Sequence, residues 1–333
     1  MLAVVHSVVQ LFAVLALLPC AAGLAPAPSV LRLLSLDLDD TLWPTRAVVD
    51  DANSALAVAL ASADCAPEAC TAAAVQARIK QVRVAANAGG GADTLTYSAL
   101  RTRAIKTILA ERTPSAKASA SLDRHPQRAS RLFELWLDAR QASAEARLFD
   151  DATAALVASR AAHPSLVLAA VTNGRGDPRA IPSLAHLFDV VVSGEDADVW
   201  PHRKPARQIF DVARRKASIF AVARMRAQLE DNCDMLDVGV ASQGFYDWVH
   251  VGDDLVNDVE AAKRAGAATI WFAPAGDDDG GASFSTAGAA EQARRDARTA
   301  AVDVDACVDA RITTLAELPD AIERALARAR QRG

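Results

Sequence analysis

The chain has 333 residues, of which 51% are hydrophobic and 23% are charged. This length suffices for about two domains, and the composition excludes a chain that is disordered throughout. Its 36 basic and 41 acidic residues give a net charge of −5 at pH 7, so no overall positive field attracts nucleic acid. An anionic substrate would therefore require a local positive group, such as a bound metal ion or a single lysine.

The N-terminal residues 1–23 are typical of a secretory signal sequence. Their uninterrupted apolar run, 11–18, is shorter than the roughly 20 residues that a membrane span requires. Pro19 and the small residues at 21–23 follow it, as at a cleavage site, although no Lys or Arg precedes the run. An uncleaved anchor or a mistaken start codon is the alternative. No later segment is apolar enough to span a membrane, so we expect no stable membrane insertion of the mature chain.

The segment LAPAPSV, which begins at Leu24, allows a second destination. It resembles the junction of algal two-part plastid presequences, in which the motif usually begins with Phe. The expectation is therefore entry into the secretory pathway, with plastid targeting as the alternative. N-terminal sequencing of the native protein would distinguish cleavage near Leu24 from an intact N-terminus.

The cysteines give no sign of a structural metal site. They occur at positions 20, 65, 70, 233 and 307. None belongs to a CxxC motif or has a His at zinc-ligand spacing, so a structural zinc is not expected. Cys65 and Cys70 could pair in an oxidising compartment, and buried free thiols are the alternative.

Apolar runs alternate with helical stretches in most of the chain. Nearly continuous apolar runs, typical of strands buried on both faces, occur at 31–38, 166–171, 189–193, 248–251 and 268–272. Helical patterns at 205–216 and 255–265 separate some of them. This alternation predicts an α/β fold with a doubly wound parallel (Rossmann-like) sheet, whose ligands bind beyond the carboxyl ends of the strands.

Residues 46–147 contain no convincing strand. Instead they contain four helical patterns, at about 46–62, 67–86, 94–112 and 128–147. We therefore predict a core formed by 30–45 and 148–333, interrupted after its first strand by a helical insert, 46–147. Within the core, 217–247 is a long connection with an additional helix, 273–300 is a polar loop leading to a helix, and 314–330 is a final helix.

Four short motifs carry side chains capable of chemistry, and three of them end a predicted strand. DLDDT places Asp37 and Asp39 where they could converge on one substrate atom, and TNG offers the Thr172 hydroxyl, exposed amide hydrogens and a permissive Gly174, which can cradle phosphoryl oxygens. Alone, each could be an ordinary polar turn. Lys204, in WPHRKPARQIF, would by itself be a solvated cation.

The fourth motif, GDDLVND, is the most specific one. It places three carboxylates, Asp253, Asp254 and Asp258, within six residues after a buried strand. Such a concentration of negative charge is costly unless a cation lies among the carboxylates, so a metal site is favoured over a solvated turn.

The order of these four motifs resembles that of the haloacid dehalogenase-like (HAD) hydrolase superfamily. The resemblance covers residues 31–46 and 148–272, and the helical insert stands where that superfamily places a helical cap. DLDDTLW, VTNG and VHVGDDLVNDVEAAKRAG are most similar to the capped phosphatases that include FMN hydrolases and phosphatases of the riboflavin precursor 5-amino-6-(5-phospho-D-ribitylamino)uracil. Related phosphatases of small sugar phosphates or nucleotides share similar strings and remain the alternative.

The resemblance implies a Mg²⁺-dependent phosphatase that acts through an aspartyl-phosphate. Asp37 would be the nucleophile, and Asp39 the general acid and then the general base, a residue that true dehalogenases lack because a halide needs no proton. Mg²⁺ would be held by Asp37, the carbonyl of Asp39 and Asp253. Charge on the phosphoryl group would be stabilised by Thr172, the backbone of Asn173, and Lys204. Asp254 and Asp258 would orient the waters of the metal ion or the side chain of Lys204.

Substrate selection would lie in the helical insert. Arg101 and Arg103, preceded by Tyr97, could reach the leaving group, although a solvated basic helix face is the alternative. Trp43 and Pro44 would belong to the hinge of the insert. The expected partner is a small phosphorylated metabolite and no nucleic acid, and the sequence does not indicate an oligomeric state. A non-catalytic binding protein built on the same fold is a third hypothesis.

Overall fold

The computed structural model describes residues 32–61, 71–88, 95–110, 125–230, 247–274 and 289–332. The predicted signal sequence at 1–23, and Cys65 with Cys70, lie outside these ranges. Among the described helices, none is long and apolar enough to cross a membrane.

Six strands form a single parallel sheet. They are β1 Leu33–Leu36, β2 Val167–Thr172, β3 Val190–Ser193, β4 Trp248–Gly252, β5 Ala268–Phe272 and β6 Ala310–Ile312. Their order is β3-β2-β1-β4-β5-β6, and every neighbouring pair is parallel. The predicted α/β fold with a doubly wound parallel sheet is therefore confirmed. The sequence patterns missed β6, which has three residues and an exposed Arg311 at its centre.

The helices are named in chain order. They are α1 Thr45–Ala61, α2 Ala72–Asn87, α3 Tyr97–Ala110, α4 His125–Ala146, α5 Ala152–Ala162, α6 Arg207–Glu230, α7 Ala261–Ala265, α8 Ala289–Ala300, α9 Val304–Cys307 and α10 Leu318–Arg332. The helix predicted at 205–216 continues to Glu230, so its predicted end is corrected. Residues 217–230, which were predicted to belong to a long connection at 217–247, are therefore part of α6.

The alternation of side chains along β1 divides the core into two layers. Leu34 and Leu36 face a cluster that includes residues of α5 and α10, whereas Leu33 faces a second cluster that includes residues of α6 and α7. Consecutive strand residues point to opposite faces of a sheet, so a continuously apolar strand needs a helical layer on each face. The apolar runs that were predicted to be buried strands are covered by helices on both faces of the sheet.

Helices α1 to α4 pack around a core of their own. Its largest members include Leu56, Ile79, Ile105, Phe133 and Trp136. The four helices lie between β1 and β2 in the chain, and all of their residues except Thr45 fall in the range 46–147 of the predicted insert. They contact the α/β core beyond the carboxyl ends of β1 and β3, where Arg140 of α4 donates to Asp39 and the N–H of Ser98 in α3 donates to Glu195.

The sheet has its topological switch point between β1 and β4. From β1 the chain order runs outward to β2 and β3 on one side and from β4 to β6 on the other. Ligands of doubly wound sheets bind in the crevice at this point, beyond the carboxyl ends of the strands. Asp37 directly follows β1, and Asp253 directly follows β4, so the fold brings two of the four motifs together there.

Candidate active site

Three carboxylates converge at the switch point. Asp37, Asp253 and Asp258 each offer one oxygen, and these oxygens all lie within 4.8 Å of one another. The backbone N–H of Asp37 donates a hydrogen bond to the carbonyl of Val251 (2.9 Å), which ties the start of the DLDDT motif to β4. The sheet thus fixes the spacing between Asp37 and Asp253.

Even beside Lys204, the burial of two of these carboxylates, Asp37 and Asp253, is electrostatically unfavourable. Burial raises the pKa of Asp37 well above its usual value, as do Asp258 and Asp39, while Lys204 opposes the shift. Burial also raises the pKa of Asp253, and the nearby charges of Asp258 and Asp37 add to it. Oxygen ligands of this kind suit Mg²⁺ or another hard divalent cation, so the residues fit the predicted metal. Asp39, whose predicted ligand is its backbone carbonyl, is not one of the three clustered side chains.

Lys204 lies between the nucleophile candidate and Asp258. Its Nζ atom is 2.8 Å from Oδ1 of Asp37 and 2.6 Å from Oδ1 of Asp258, and its side chain is only 2% exposed. Burial acts to lower the pKa of Lys204, but the two carboxylates outweigh it and leave the pKa above its usual value. The lysine is therefore a buried, permanently charged group beside Asp37.

The side chain of Asn173 fixes the backbone of Lys204. Its Oδ1 accepts a hydrogen bond from the N–H of Lys204 (2.8 Å), and its Nδ2 donates to the carbonyl of Lys204 (3.0 Å). Only the backbone of Asn173 was predicted to belong to the site, so this function of its side chain was not predicted. Thr172, which ends β2, is buried and accepts a hydrogen bond from the N–H of Gly174 through Oγ1 (3.2 Å).

The two remaining carboxylates of GDDLVND have different surroundings. Oδ1 of Asp254 accepts hydrogen bonds from the N–H groups of Val256 and Asn257 (2.8 and 2.9 Å), and Oδ2 accepts one from the Asn257 side chain (2.6 Å). Asp254 therefore shapes the π-helical turn Leu255–Glu260. Asp258 is completely buried and contacts Lys204 directly, which is one of the two roles expected for it.

A chain of buried hydrogen bonds supports Asp258 from below the site. Nε1 of Trp248 donates to Oγ of Ser35 (2.7 Å), which lies 2.8 Å from Nδ1 of His250, while Nε2 of His250 lies 3.4 Å from Oδ1 of Asp258. Burial lowers the pKa of His250, and the charge of Lys204 lowers it further against the opposing effect of Asp258. A neutral imidazole that donates from Nε2 and accepts at Nδ1 satisfies every member of this chain. This hydrogen-bond chain was not predicted, although a His within the apolar WVHV was a signal.

Asp39 is bound from two directions. Its Oδ1 accepts hydrogen bonds from Nε1 of Trp43 (3.0 Å) and from Nη2 of Arg140 (2.6 Å), a residue of α4. The neighbouring Asp40 has a left-handed backbone (φ 60°), and its Oδ1 accepts from the N–H of Thr45 at the start of α1 (2.8 Å). Arg140 was absent from the sequence-derived site, and it links the helical insert to the predicted general acid.

The three residues predicted for substrate selection lie in different environments. Arg101 is buried, with its guanidinium 3.5 Å from the ring centroid of Trp136. Arg103 is exposed on another face of α3; two residues apart in a helix are separated by about 200°. The ring of Tyr97 lies under the guanidinium of Arg203, which belongs to the α/β core, with 4.7 Å between Cζ and the ring centroid. Of the two predicted arginines, only Arg101 therefore lies in the buried part of the helical insert.

Comparison with known proteins gives similarity in structure only. No family model matches the chain, and no curated protein matches it. A 2-haloacid dehalogenase from Pseudomonas syringae pv. Tomato DC3000 is 24% identical, with a TM-score of 0.57 over 88% of this chain and 99% of that one.

Two phosphate-related structures also match, with lower TM-scores. A HAD phosphatase from Thermococcus onnurineus is 20% identical, with a TM-score of 0.37 over 87% of this chain and 96% of that one. CbbY from Rhodobacter sphaeroides, in complex with phosphate, is 16% identical, with a TM-score of 0.44 over 86% and 96% of the two chains. The likeness to the dehalogenase establishes the fold.

Proposed function

Because the chain has the haloacid dehalogenase-like hydrolase fold, we propose that it is a Mg²⁺-dependent phosphomonoesterase that acts through an aspartyl-phosphate. One observation carries the proposal: Asp37 lies at the carboxyl end of the central strand, in contact with Lys204 and within a cluster of three carboxylates. A carboxylate nucleophile, a fixed cation and a metal site are the groups that phosphoryl transfer through an enzyme carboxylate requires.

The residue at position 39 favours a phosphatase over a dehalogenase. Structures of both kinds are similar to this chain, so the fold does not choose between them. An alkoxide leaving group needs a proton and a halide does not, and Asp39 is a carboxyl group two residues after the proposed nucleophile. General acid catalysis of this kind contributes about 10²–10⁴-fold to a rate.

The proposed reaction has two steps. A carboxylate oxygen of Asp37 attacks phosphorus, the bond to the leaving oxygen breaks, and Asp39 gives that oxygen its proton. Asp39 then takes a proton from water as the water oxygen attacks phosphorus, which releases inorganic phosphate and regenerates Asp37.

Charge on the phosphoryl group is stabilised by Lys204, Thr172 and the backbone of Asn173. Asp37, Asp253 and the carbonyl of Asp39 would hold Mg²⁺, which neutralises phosphoryl charge when bound. Asp258 acts through Lys204, whose ammonium it contacts.

The substrate is the finer part of the proposal. The motif resemblance makes FMN and 5-amino-6-(5-phospho-D-ribitylamino)uracil the first candidates, and small sugar phosphates and nucleotides are the second. A substrate panel that contains FMN, the ribitylaminouracil phosphate, phosphoglycolate and nucleoside monophosphates separates them. If FMN and the precursor rank at the bottom of the panel, the first assignment is wrong.

The same panel tests the reaction class. We expect hydrolysis that requires Mg²⁺, is abolished by EDTA, and is lost in Asp37→Asn. Asp320→Asn, which removes an exposed carboxylate from α10, is the matched control and should keep full activity. A folded protein that is inactive on the entire panel would instead support the non-catalytic binding protein.

For cellular location, we propose removal of residues 1–23 on entry into the secretory pathway, with a plastid as the alternative destination. Sequencing the N-terminus of the native protein tests this proposal. A mature N-terminus near Leu24 supports it, and an intact Met1 contradicts it.

A further inference from the structure

Two buried arginines next to the site have donors that the proposed reaction leaves unused. Arg101 of α3 and Arg140 of α4 are only 8% and 5% exposed. Nη2 of Arg140 donates to Asp39, but Nη1 of Arg140 and Nε of Arg101 are buried and find no acceptor among the described residues. Buried polar groups nearly always have hydrogen-bond partners, so two charged donors without acceptors indicate a ligand.

The two guanidinium groups are neighbours. Trp136 and Arg140 are four residues apart in α4 and therefore lie on the same face, one turn from each other. The guanidinium of Arg101 lies over the ring of Trp136, which places it beside Arg140. Burial lowers the pKa of Arg101 to about 9, and the positive charge of Arg140 contributes to this shift, whereas Glu195 opposes it.

Arg140 connects this pair of cations to the proposed general acid. Its Nη2 lies 2.6 Å from Oδ1 of Asp39, so the guanidinium stands on the leaving-group side of the proposed reaction. Nη1 of the same guanidinium has no acceptor among the described residues. A second anion can therefore bind Nη1 while Nη2 stays on Asp39.

We propose that Arg101 and Arg140 form a second anion site, which binds a carboxylate or a second phosphate on the leaving-group side of the substrate. The inference rests on the proposed function and narrows it to phosphomonoesters whose leaving alcohol carries another anion. The second anion accepts hydrogen bonds from Nη1 of Arg140 and Nε of Arg101, the two donors that lack acceptors, while Nη2 of Arg140 stays on Asp39. FMN and the ribitylaminouracil phosphate have no such second anion, so this inference departs from the motif resemblance and ranks doubly anionic esters above both.

A matched pair of esters tests the site in the Mg²⁺-loaded enzyme. Phosphoglycolate carries a carboxylate where 2-hydroxyethyl phosphate, of similar size, carries a neutral hydroxyl. We expect kcat/KM for phosphoglycolate to be higher by about tenfold or more, the size of one charge-assisted hydrogen bond. Ethylene glycol bisphosphate carries a second phosphate instead, and its rank relative to phosphoglycolate identifies the preferred anion.

Variants connect the preference to the two arginines. In Arg101→Gln and Arg140→Gln, the ratio of kcat/KM for phosphoglycolate to kcat/KM for 2-hydroxyethyl phosphate should fall to about one. The main cause should be a higher KM for phosphoglycolate. Lys106→Gln and Arg131→Gln remove exposed cations from the same two helices and should retain the preference. Arg101→Lys keeps a charge if Arg101→Gln fails to fold, and should give an intermediate ratio. A wild-type enzyme that hydrolyses all three esters equally well overturns the anion site.

Calorimetric titration of the same esters separates this inference from the proposed function. Tighter binding of phosphoglycolate that depends on Arg101, without hydrolysis of any ester, refutes the phosphatase and supports the anion site. Hydrolysis without preference in binding or in rate supports the phosphatase and refutes the anion site. An absence of both binding and hydrolysis refutes both.

Discussion

Lys204 and Asp258 form a buried ion pair, with 2.6 Å between Nζ and Oδ1, directly beside the proposed nucleophile. The pair connects the loop after β3 to the turn after β4, and Lys204 also contacts Asp37 at 2.8 Å. Because neither side chain of the pair is more than 2% exposed, neither charge can be compensated by water. The arrangement therefore holds a positive charge at the place where the proposed reaction would develop phosphoryl charge.

Removing the charge of Lys204 should impair both catalysis and stability. In Lys204→Gln we expect kcat to fall by about 10²–10³-fold or more, as for loss of one preorganised electrostatic group. The metal-free variant should also lose about 3–5 kcal/mol of unfolding free energy, since Asp258 keeps a buried charge without its partner. Steady-state kinetics and urea unfolding measure the two effects. A variant with a kcat within tenfold of the wild type contradicts the proposed role.

His250 should act through Asp258 as a positioning residue. His250→Phe removes both hydrogen bonds of the imidazole and leaves the Ser35 hydroxyl only its longer contact to the Val249 carbonyl (3.4 Å), which should cost about 1 kcal/mol. We expect a decrease in kcat that is smaller than that of Lys204→Gln, with KM unchanged, because the imidazole does not contact the substrate. His186→Phe, at an exposed position, is the control. If His250→Phe loses stability but keeps its kcat, the histidine has only a structural role.

Mg²⁺ should stabilise the protein more as the pH rises. The folded-state pKa values of Asp37 and Asp253 lie above their ordinary value of 3.8. In the metal-free protein, the stability linked to these groups is therefore fully present below pH 3.8 and is lost as the pH rises through the raised values. A cation restores it, and saturation at about 100 times Kd adds about 2.7 kcal/mol.

Thermal melts with and without Mg²⁺, at about pH 5 and about pH 7.5, measure this dependence. The increase in Tm should be larger at the higher pH and should shrink in Asp253→Asn. An increase that is equal at both pH values, or that survives unchanged in Asp253→Asn, argues against the carboxylate cluster as the metal site.

Gly252 is required for a steric reason. A Cβ at this position would overlap the Asp258 side chain, lying 2.6 Å from its Oδ2. Gly252→Ala should therefore destabilise the protein by about 1–3 kcal/mol, the usual cost of overpacking, and reduce kcat by displacing Asp258. Gly174→Ala serves as the stability control, because its Cβ would lie 3.5 Å from the nearest atom, an ordinary contact. Equal unfolding free energies for Gly252→Ala and Gly174→Ala would contradict the steric requirement, since the Asp258 side chain would then move aside at no cost.

Most of the sheet was predictable because each central strand is buried on both faces and therefore apolar throughout. The exception, β6, has three residues at the edge of the sheet and exposes Arg311, so its pattern is too short and too polar to recognise. The end of α6 was missed for a related reason: its later turns leave apolar residues such as Ile219 exposed, and their spacing gave no clear buried face.

Site residues within the four motifs were predictable because parallel strands end at one edge of the sheet. Arg140 was not, since it is 101 positions from Asp39 in the chain and their contact depends on how α4 packs against the core. Its position one helical turn after Trp136 was the available signal, but a single cation on a helix is ordinarily solvated. The surroundings of Arg101 and Arg103 likewise depend on which face of α3 is buried.

The central claim is that Asp37 attacks phosphorus, and acid-quenched mass spectrometry during turnover tests it most directly. With Mg²⁺ and a hydrolysed ester, we expect one phosphoryl group on the peptide that contains Asp37, and none in Asp37→Asn. The adduct should decay when the substrate is exhausted, because water attacks the same phosphorus. Turnover that proceeds at the wild-type rate in Asp37→Asn, or a phosphoryl group found on a different residue, would contradict the account.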